Sequence, residues 1–150
     1  MELMVLSRRE IQDFHTNKKH VVISVMDPED SEGQANIPKS GKRLGRLELA
    51  FHDWNNKQRD LIEKSKSFEA KSFVFFDKEM AGQIVEFVRK AKTGGRLELI
   101  VCQCDAGISR SAGIAAALAK CINGDDRRFF KEFIPNMLVY SLIVKEWMRQ

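Results

Sequence analysis

Cysteine is scarce in this sequence, with three residues among 150. Two of them, Cys102 and Cys104, are one residue apart and the total is odd, so the sequence does not encode a set of disulfides. The three histidines have no metal-ligand spacing with the cysteines, and we expect neither a metal site nor another cofactor. Such cysteine usage is typical of a reducing compartment, so we expect a cytoplasmic location.

Long apolar stretches and dense blocks of positive charge are also missing. No segment approaches the roughly 18 consecutive apolar residues of a membrane-spanning helix, and the first residues lack the apolar core of a secretory signal. The formal net charge is only +4. We therefore expect no membrane partner and no nucleic-acid partner, whereas the mild positive charge suits an anionic ligand.

No linker, internal repeat or low-complexity tract divides the chain. With 43% hydrophobic residues, 150 residues are enough to bury one core, and residues 1–150 are predicted to form a single domain. Apolar runs predict strands at 3–6, 21–26 and 97–101, and alternating apolar residues predict another at 47–51 that ends at 52–54. Residues 70–76 fit either a strand or a loop, and scattered glycine and proline predict a loop over 27–45.

Helical signals lie between these strands. Ser7 and Glu10 form a capping box, and an apolar face between Met80 and Ala91 predicts a helix that stops at Gly94-Gly95. Further helices are predicted over 112–119, 125–133 and 135–148, with Pro135 in the first turn of the last. Strands separated by helices predict an α/β fold, with a mostly parallel central sheet flanked by helices on both faces.

The segment from 102 to 111, Cys-Gln-Cys-Asp-Ala-Gly-Ile-Ser-Arg-Ser, joins the last predicted strand to the alanine-rich helix. Amide groups of a loop that begins a helix point inward and form a cradle for an anion, and the helix dipole adds to their field. The same field stabilises a thiolate at Cys104. Arg110 presents a planar set of donors to two oxygens of a phosphate and stays charged at any working pH.

At these residues the sequence resembles the cysteine-dependent protein tyrosine phosphatase superfamily, whose signature is Cys-x5-Arg followed by Ser or Thr. The short chain favours the dual-specificity-like branch, and the resemblance extends more loosely from Val21 to about Tyr140. It implies hydrolysis of a phosphomonoester through a phosphocysteine intermediate, with Cys104 as nucleophile and Arg110 as oxyanion clamp. The hydroxyl at Ser111 assists departure of the thiolate in this family, and we carry that role over.

The same resemblance implies that the phosphate-binding residues are those of the loop, Asp105, Ala106, Gly107, Ile108, Ser109 and Arg110. Its expected partner is a phosphorylated protein or a small phosphomonoester, with phosphotyrosine or mixed phosphotyrosine and phosphoserine favoured. A specialist for inositol phosphates is expected to carry basic side chains in the loop, and this loop carries acidic Asp105 instead. The residue before the nucleophile is commonly His in the family and is Gln103 here, which cannot carry charge.

A general acid is also needed, because an alkoxide or phenolate leaves phosphorus poorly without a proton. In the family this acid is an Asp on a separate upstream loop. Asp53 fits, since it follows a strand and is adjacent to Trp54, an aromatic that helps to place the loop. Its distance from Cys104 along the chain implies an insertion at 57–71, so Asp60 and Asp77 remain rivals. Asp77 also fits a helix N-cap.

Three alternatives stay open at this point. A chain with this fold and no positioned acid is a non-catalytic phosphopeptide-binding module. Cys104 also suits rhodanese-like sulfur transfer or arsenate reduction. Cys102 is predicted on the same side of its strand as Cys104, where it is either a core residue, which we favour, or a redox partner.

Overall fold

The computed structural model describes residues 1–55, 57, 60, 61, 64 and 73–150. In those residues four strands form one sheet: β1 (Glu2–Leu6), β2 (His20–Met26), β3 (Arg43–Ala50) and β4 (Leu99–Gln103). The order across the sheet is β1-β4-β2-β3, and every pairing is parallel. The prediction of a parallel central sheet is confirmed, and β4, the strand before the phosphate-loop segment, lies inside it.

Helices cover the sheet on both faces. The helices whose bounds lie within the described residues are α1 (Arg8–Gln12), α2 (Lys78–Thr93), α3 (Arg110–Asn123), α4 (Arg127–Glu132) and α5 (Met137–Arg149). The larger core lies on the face covered by α2, α3 and α5, and it contains both Cys102 and Cys104. The opposite face has a smaller core, in which Ile11 of α1 and Ala35 of the loop after β2 pack with Val22, Leu99 and Val101. Alternation along β4 therefore directs Cys102 and Cys104 to the same side, as predicted.

Several predicted features are confirmed, whereas several predicted boundaries are wrong; the helix predicted over 112–119, for instance, extends over Arg110–Asn123. Ser7 and Glu10 form both bonds of the capping box, and Asp77 caps α2 by accepting from Met80 N. Pro135 does not lie in the first turn of the last helix, because Asn136 is the N-cap and accepts from Val139 N. Amide side chains stabilise that position by satisfying a helix N–H that has no partner within the helix.

The strand predicted at 47–51 and ending at 52–54 differs at both ends. β3 begins at Arg43, inside the predicted loop over 27–45, and ends at Ala50, after which the residues form an irregular segment. Residues 73–77 are not in a strand either, and 70–72 lie outside the described residues. These two irregular segments contact each other: His52 N donates to Val74 O, and Phe51 packs edge-on against Phe76. Pairing with this loop replaces continuation of the strand.

Candidate active site

The loop between β4 and α3 lies at the carboxyl edge of the parallel sheet, where folds of this class bind ligands. Cys104 N donates to Leu6 O at the end of β1, which fixes the beginning of the loop. The amides of residues 105–109 donate no hydrogen bond within the described part of the chain. Five successive amides at a helix N-terminus, without an acceptor among the described residues, can bind an anion.

Gly107 is the residue that lets this loop lie against the start of the chain. Its φ is +68°, and a Cβ there would lie 2.6 Å from Ser7 N and 2.8 Å from Leu6 C. Both neighbours are backbone atoms, so they cannot move aside as a side chain does. Arg8 N also donates to Asp105 O. The loop therefore packs directly against the junction of β1 and α1.

The predicted nucleophile and the predicted hydroxyl are in contact. Cys104 Sγ and Ser111 Oγ are 3.0 Å apart, and both residues are buried. When the sulfur is a thiolate, the hydroxyl must be the donor, because a thiolate has no proton to give. Ser111 is therefore placed to stabilise negative charge on sulfur.

Arg110 is held from behind by two acceptors. Its Nη1 donates to Asp27 Oδ1 at 2.7 Å and to Phe51 O at 2.9 Å, and the residue is 6% exposed. Its Nε and Nη2 donate no hydrogen bond within the described residues. These two atoms form the edge of the guanidinium that binds two oxygens side by side. The guanidinium is thus fixed through Nη1, while its Nε and Nη2 edge can turn to a phosphate.

Asp27 was missed by the sequence analysis, although it carries a detectable signal. It is a carboxylate directly after the buried strand β2, so it lies at the same sheet edge as the loop. The sequence alone offered no reason to pair it with Arg110, which lies 83 positions away. The contact depends on the strand order, in which β2 and β4 are neighbours.

The Asp105 side chain belongs to a charged network beside the cradle. Its Oδ1 lies 3.5 Å from Arg8 Nη1, and its Oδ2 lies 3.8 Å from Arg110 Nη2. Burial raises the pKa of this carboxyl, and the negative charge of Asp27 raises it further. Arg8, a second residue that the sequence analysis did not select, also pairs with Asp30. The acidic residue in the loop is thus balanced by Arg8, so Arg110 is not its sole cationic partner.

Asp53 lies beside the same loop. Its Oδ1 accepts from Ser109 Oγ and from Asn136 Nδ2, each at 2.8 Å. Of its rivals, Asp77 is occupied as the N-cap of α2, and Asp60 is an exposed residue. Most of the insertion predicted at 57–71 lies outside the described residues. Of the three acid candidates that the sequence offered, Asp53 is the one with a described contact to the loop.

The segment that carries Asp53 is anchored on both sides. His52 Nδ1 accepts from Val74 N, so the ring proton is on Nε2, which faces Glu29 at 2.8 Å. Trp54 packs edge-on against Phe73, with ring centroids 4.9 Å apart. The aromatic next to Asp53 thus contributes to placing this segment.

A cavity of about 550 Å³ adjoins the loop and Asp53. The residues that line it are Asp53, Asn55, Lys57, Ser109, Ile134, Pro135, Asn136 and Met137. Apolar side chains are exposed around it, with Ile134 at 75% and Ile108 at 47%. A phosphate in the cradle would thus have room beside it for an organic group with apolar surface.

Comparison with solved structures identifies this architecture. The human tyrosine phosphatase-like serine/threonine/tyrosine-interacting protein is 16% identical, with a TM-score of 0.60 over 98% of this chain and 91% of that one. PTPMT1 in complex with PI(5)P is 14% identical, with a TM-score of 0.55 over 99% and 91%. Tk-PTP in the active form is 12% identical, with a TM-score of 0.52 over 100% and 94%. The chain has the dual-specificity-like tyrosine phosphatase fold.

No protein-family model and no curated protein sequence matches this chain. The likeness therefore resides in the course of the backbone. Within this dual-specificity-like fold, the chain places Cys104, Arg110, Ser111 and Asp53 at the loop.

The remaining cysteines lie outside the cradle. Cys102 is fully buried in the larger core, and burial raises the pKa of its thiol, which fits the predicted core role. Cys121 is half-buried in α3, and burial raises its pKa as well. The described residues contain no group of three or more His, Cys, Asp or Glu side chains arranged to hold a metal ion. None of the helices in the described ranges combines the length and apolar character that crossing a bilayer requires.

Gln103 takes up the position where the resembled family commonly has His. It is fully buried, and its side chain accepts a hydrogen bond from Ser24 Oγ at 2.5 Å. The side chain thus links β4 to β2 beneath the loop. Its Nε2 has no partner among the described residues. Gln103 holds the strand that carries the nucleophile through a neutral contact.

Proposed function

We propose that this protein is a phosphatase that hydrolyses phosphomonoesters through a phosphocysteine intermediate. The observation that carries the proposal is that Cys104, Ser111 and Arg110 lie at one loop whose amides, like Nε and Nη2 of Arg110, donate no hydrogen bond within the described residues. A nucleophile, a donor to sulfur and an oxyanion clamp are the groups that this chemistry needs.

In the first step Cys104 Sγ attacks phosphorus, and the bond from phosphorus to the leaving oxygen breaks. The loop amides and Arg110 stabilise the charge on the other three oxygens. Asp53 donates a proton to the leaving oxygen, which departs as an alcohol or phenol. Phosphorus is then bound to sulfur.

In the second step a water molecule attacks the phosphocysteine and the bond between phosphorus and sulfur breaks. Asp53, now a carboxylate, takes the proton of that water. Ser111 Oγ donates a hydrogen bond to the departing thiolate, and inorganic phosphate is released. Neither step requires a metal or another cofactor.

We propose phosphotyrosine, alone or together with phosphoserine, as the substrate class. The exposed Ile108 and Ile134 offer apolar contact to an aryl group beside the cradle. Beside the cradle three carboxylates, Asp27, Asp30 and Asp105, share the two cations Arg8 and Arg110, and this surplus of acid disfavours a substrate with a second phosphate. PI(5)P is the ligand in the PTPMT1 structure. Because the loop of this chain is acidic, we do not propose the same ligand here.

The decisive test is hydrolysis of p-nitrophenyl phosphate and of a phosphotyrosine peptide by the wild-type protein and by Cys104→Ser. The variant is expected to lose turnover, because an alkoxide forms far less readily than a thiolate. Cys121→Ser is the matched control, since that half-buried cysteine lies in α3 outside the cradle, and it should keep wild-type turnover.

Turnover by Cys104→Ser at the wild-type rate would contradict the mechanism. A wild-type protein that binds phosphotyrosine peptide without hydrolysing it would instead be a phosphopeptide-binding module. Turnover of thiosulfate or arsenate in place of phosphate esters would identify sulfur transfer or arsenate reduction.

A further inference from the structure

Asn136, the N-cap of α5, uses every polar atom of its side chain. Its Oδ1 accepts from Val139 N at 3.1 Å, while its Nδ2 donates to Asp53 Oδ1 at 2.8 Å and to Trp54 O at 3.1 Å. The residue is 5% exposed. One side chain therefore connects the start of a helix to the segment that carries the proposed acid.

The main chain of Asn136 is fixed as firmly as its side chain. Its N–H donates to Ser109 O at 3.0 Å, in the last residue of the phosphate loop before α3. A Cβ on Gly113 would lie 2.8 Å from Asn136 O, so only glycine in α3 allows this approach. The position of Asn136 Nδ2 is therefore fixed relative to the phosphate loop.

Ser109 supplies the second donor to Asp53. Its hydroxyl makes no capping bond to α3 and donates to Asp53 Oδ1 at 2.8 Å. Both donors, Ser109 Oγ and Asn136 Nδ2, meet on this one oxygen. No donor from the described residues contacts the other oxygen, Oδ2.

This asymmetry assigns a role to each oxygen. A neutral carboxylic acid has one oxygen that only accepts and one that carries the proton. Two donors on Oδ1 make it the accepting oxygen, so the proton must reside on Oδ2. After the proton has left, Oδ1 still accepts both bonds, and Oδ2 is again the oxygen that takes a proton from water.

Resting on the proposed phosphatase chemistry, we infer that Asn136 is a positioning residue that, with Ser109, selects Oδ2 of Asp53 as the oxygen that exchanges the proton. The competing explanation is that Asn136 only caps α5. The two roles use different atoms of the same side chain, Nδ2 for positioning and Oδ1 for capping, and can be separated by substitution.

The separating variant is Asn136→Ser, because serine caps a helix about as well as asparagine but lacks the amide donor that reaches Asp53. Wild type and variant are compared on phenyl phosphate, a poor leaving group, and 2,4-dinitrophenyl phosphate, a good one. The readout is kcat/KM, which reports the chemistry up to formation of the phosphocysteine and leaves out the later hydrolysis, where Asp53 acts as base for both substrates. We expect kcat/KM for phenyl phosphate to fall by about 10- to 100-fold, the cost typical of misplacing a catalytic group. The good leaving group departs without a proton, so its kcat/KM should change by less than about twofold.

The double variant Asp53→Asn/Asn136→Ser provides the second readout. If Asn136 acts through Asp53, the double variant should be no slower on phenyl phosphate than Asp53→Asn alone. Equal loss on both substrates, or a loss that adds to that of Asp53→Asn, would reduce Asn136 to a cap and overturn the inference.

Folding of Asn136→Ser is checked by thermal unfolding, and if it fails, Asn136→Asp takes its place. Aspartate caps equally well, is nearly isosteric and presents a second carboxylate oxygen to Asp53 where the donor stood. A wild-type protein that hydrolyses neither ester refutes the proposed function itself. Wild-type hydrolysis with an unchanged leaving-group dependence in the variant refutes only the role of Asn136.

Discussion

The two sides of the site are built differently. The nucleophile side, around Cys104 and Ser111, is buried and is held by backbone contacts of the loop with the junction of β1 and α1. The acid side is carried by Asp53, an exposed residue after β3, which is held by side chains from the phosphate loop and from the start of α5. Because backbone packing holds one side and side-chain hydrogen bonds hold the acid on the other, we expect substitutions to impair phosphorus chemistry and proton transfer separately.

The largest separable effect is expected from Asp53→Asn. The variant loses the proton donor but keeps an oxygen that accepts from Ser109 and Asn136, so kcat/KM for phenyl phosphate should fall by about 10²- to 10⁴-fold. With 2,4-dinitrophenyl phosphate the loss in kcat/KM should shrink. The fall in rate with rising pH that a required acid imposes should also disappear from the profile.

Asp77→Asn is the matched control for this substitution. Asparagine caps a helix as well as aspartate, so α2 should stay intact and the leaving-group dependence should stay that of the wild type. If Asp77→Asn showed the steeper leaving-group dependence while Asp53→Asn kept that of the wild type, the acid would be Asp77.

A smaller effect, but on the other side of the site, is expected from Gly107→Ala. The new Cβ would overlap the backbone at Leu6 and Ser7 at a φ of +68°, so the loop must shift. We expect kcat/KM to fall by about 10²-fold for good and poor leaving groups alike. The free energy of unfolding should fall by about 1–3 kcal/mol, measured by urea denaturation.

Gly95→Ala separates overlap from backbone strain. Gly95 has a φ of +75° with no atom within 4 Å of a new Cβ, so it shares the strain of Gly107 without the clash. Its substitution should lower stability by about 1–2 kcal/mol and leave kcat/KM unchanged. Wild-type kcat/KM in Gly107→Ala would show that the loop does not depend on this close approach.

The same division explains what could be predicted from the sequence. Strand, loop and helix around Cys104 are consecutive in the chain, so local patterns predicted the loop, its glycine and the hydroxyl at Ser111. Asp53 was selected because it follows a strand, which is also a local signal. The contacts that hold it come from Ser109 and Asn136, which are 56 and 83 positions away.

Residues that act through tertiary contacts were the ones missed. Arg8 and Asp27 meet the loop only because β1 and β2 flank β4 in the sheet, and strand order is not written in any local pattern. The start of the last helix was misplaced for a related reason. Pro135 suits a first turn in isolation, but Asn136 caps the helix and contacts Asp53 from that position.

The smallest effect is expected from Asp27→Asn. This substitution tests whether Asp27, although partly exposed, belongs to the nucleophile side of the site. The Asp27 side chain is 41% exposed, yet its Oδ1 accepts from Arg110 Nη1. Asparagine keeps an accepting oxygen and loses the charge, so the bond weakens by about 1 kcal/mol and kcat should fall by about fivefold. In this variant a negative charge near the cradle is removed, so inhibition by inorganic phosphate should not become weaker.

Because Asp27 acts through Arg110, the loss in Asp27→Asn should be the same for phenyl phosphate and 2,4-dinitrophenyl phosphate. A loss confined to phenyl phosphate would place Asp27 on the acid side and break the division between the two halves of the site.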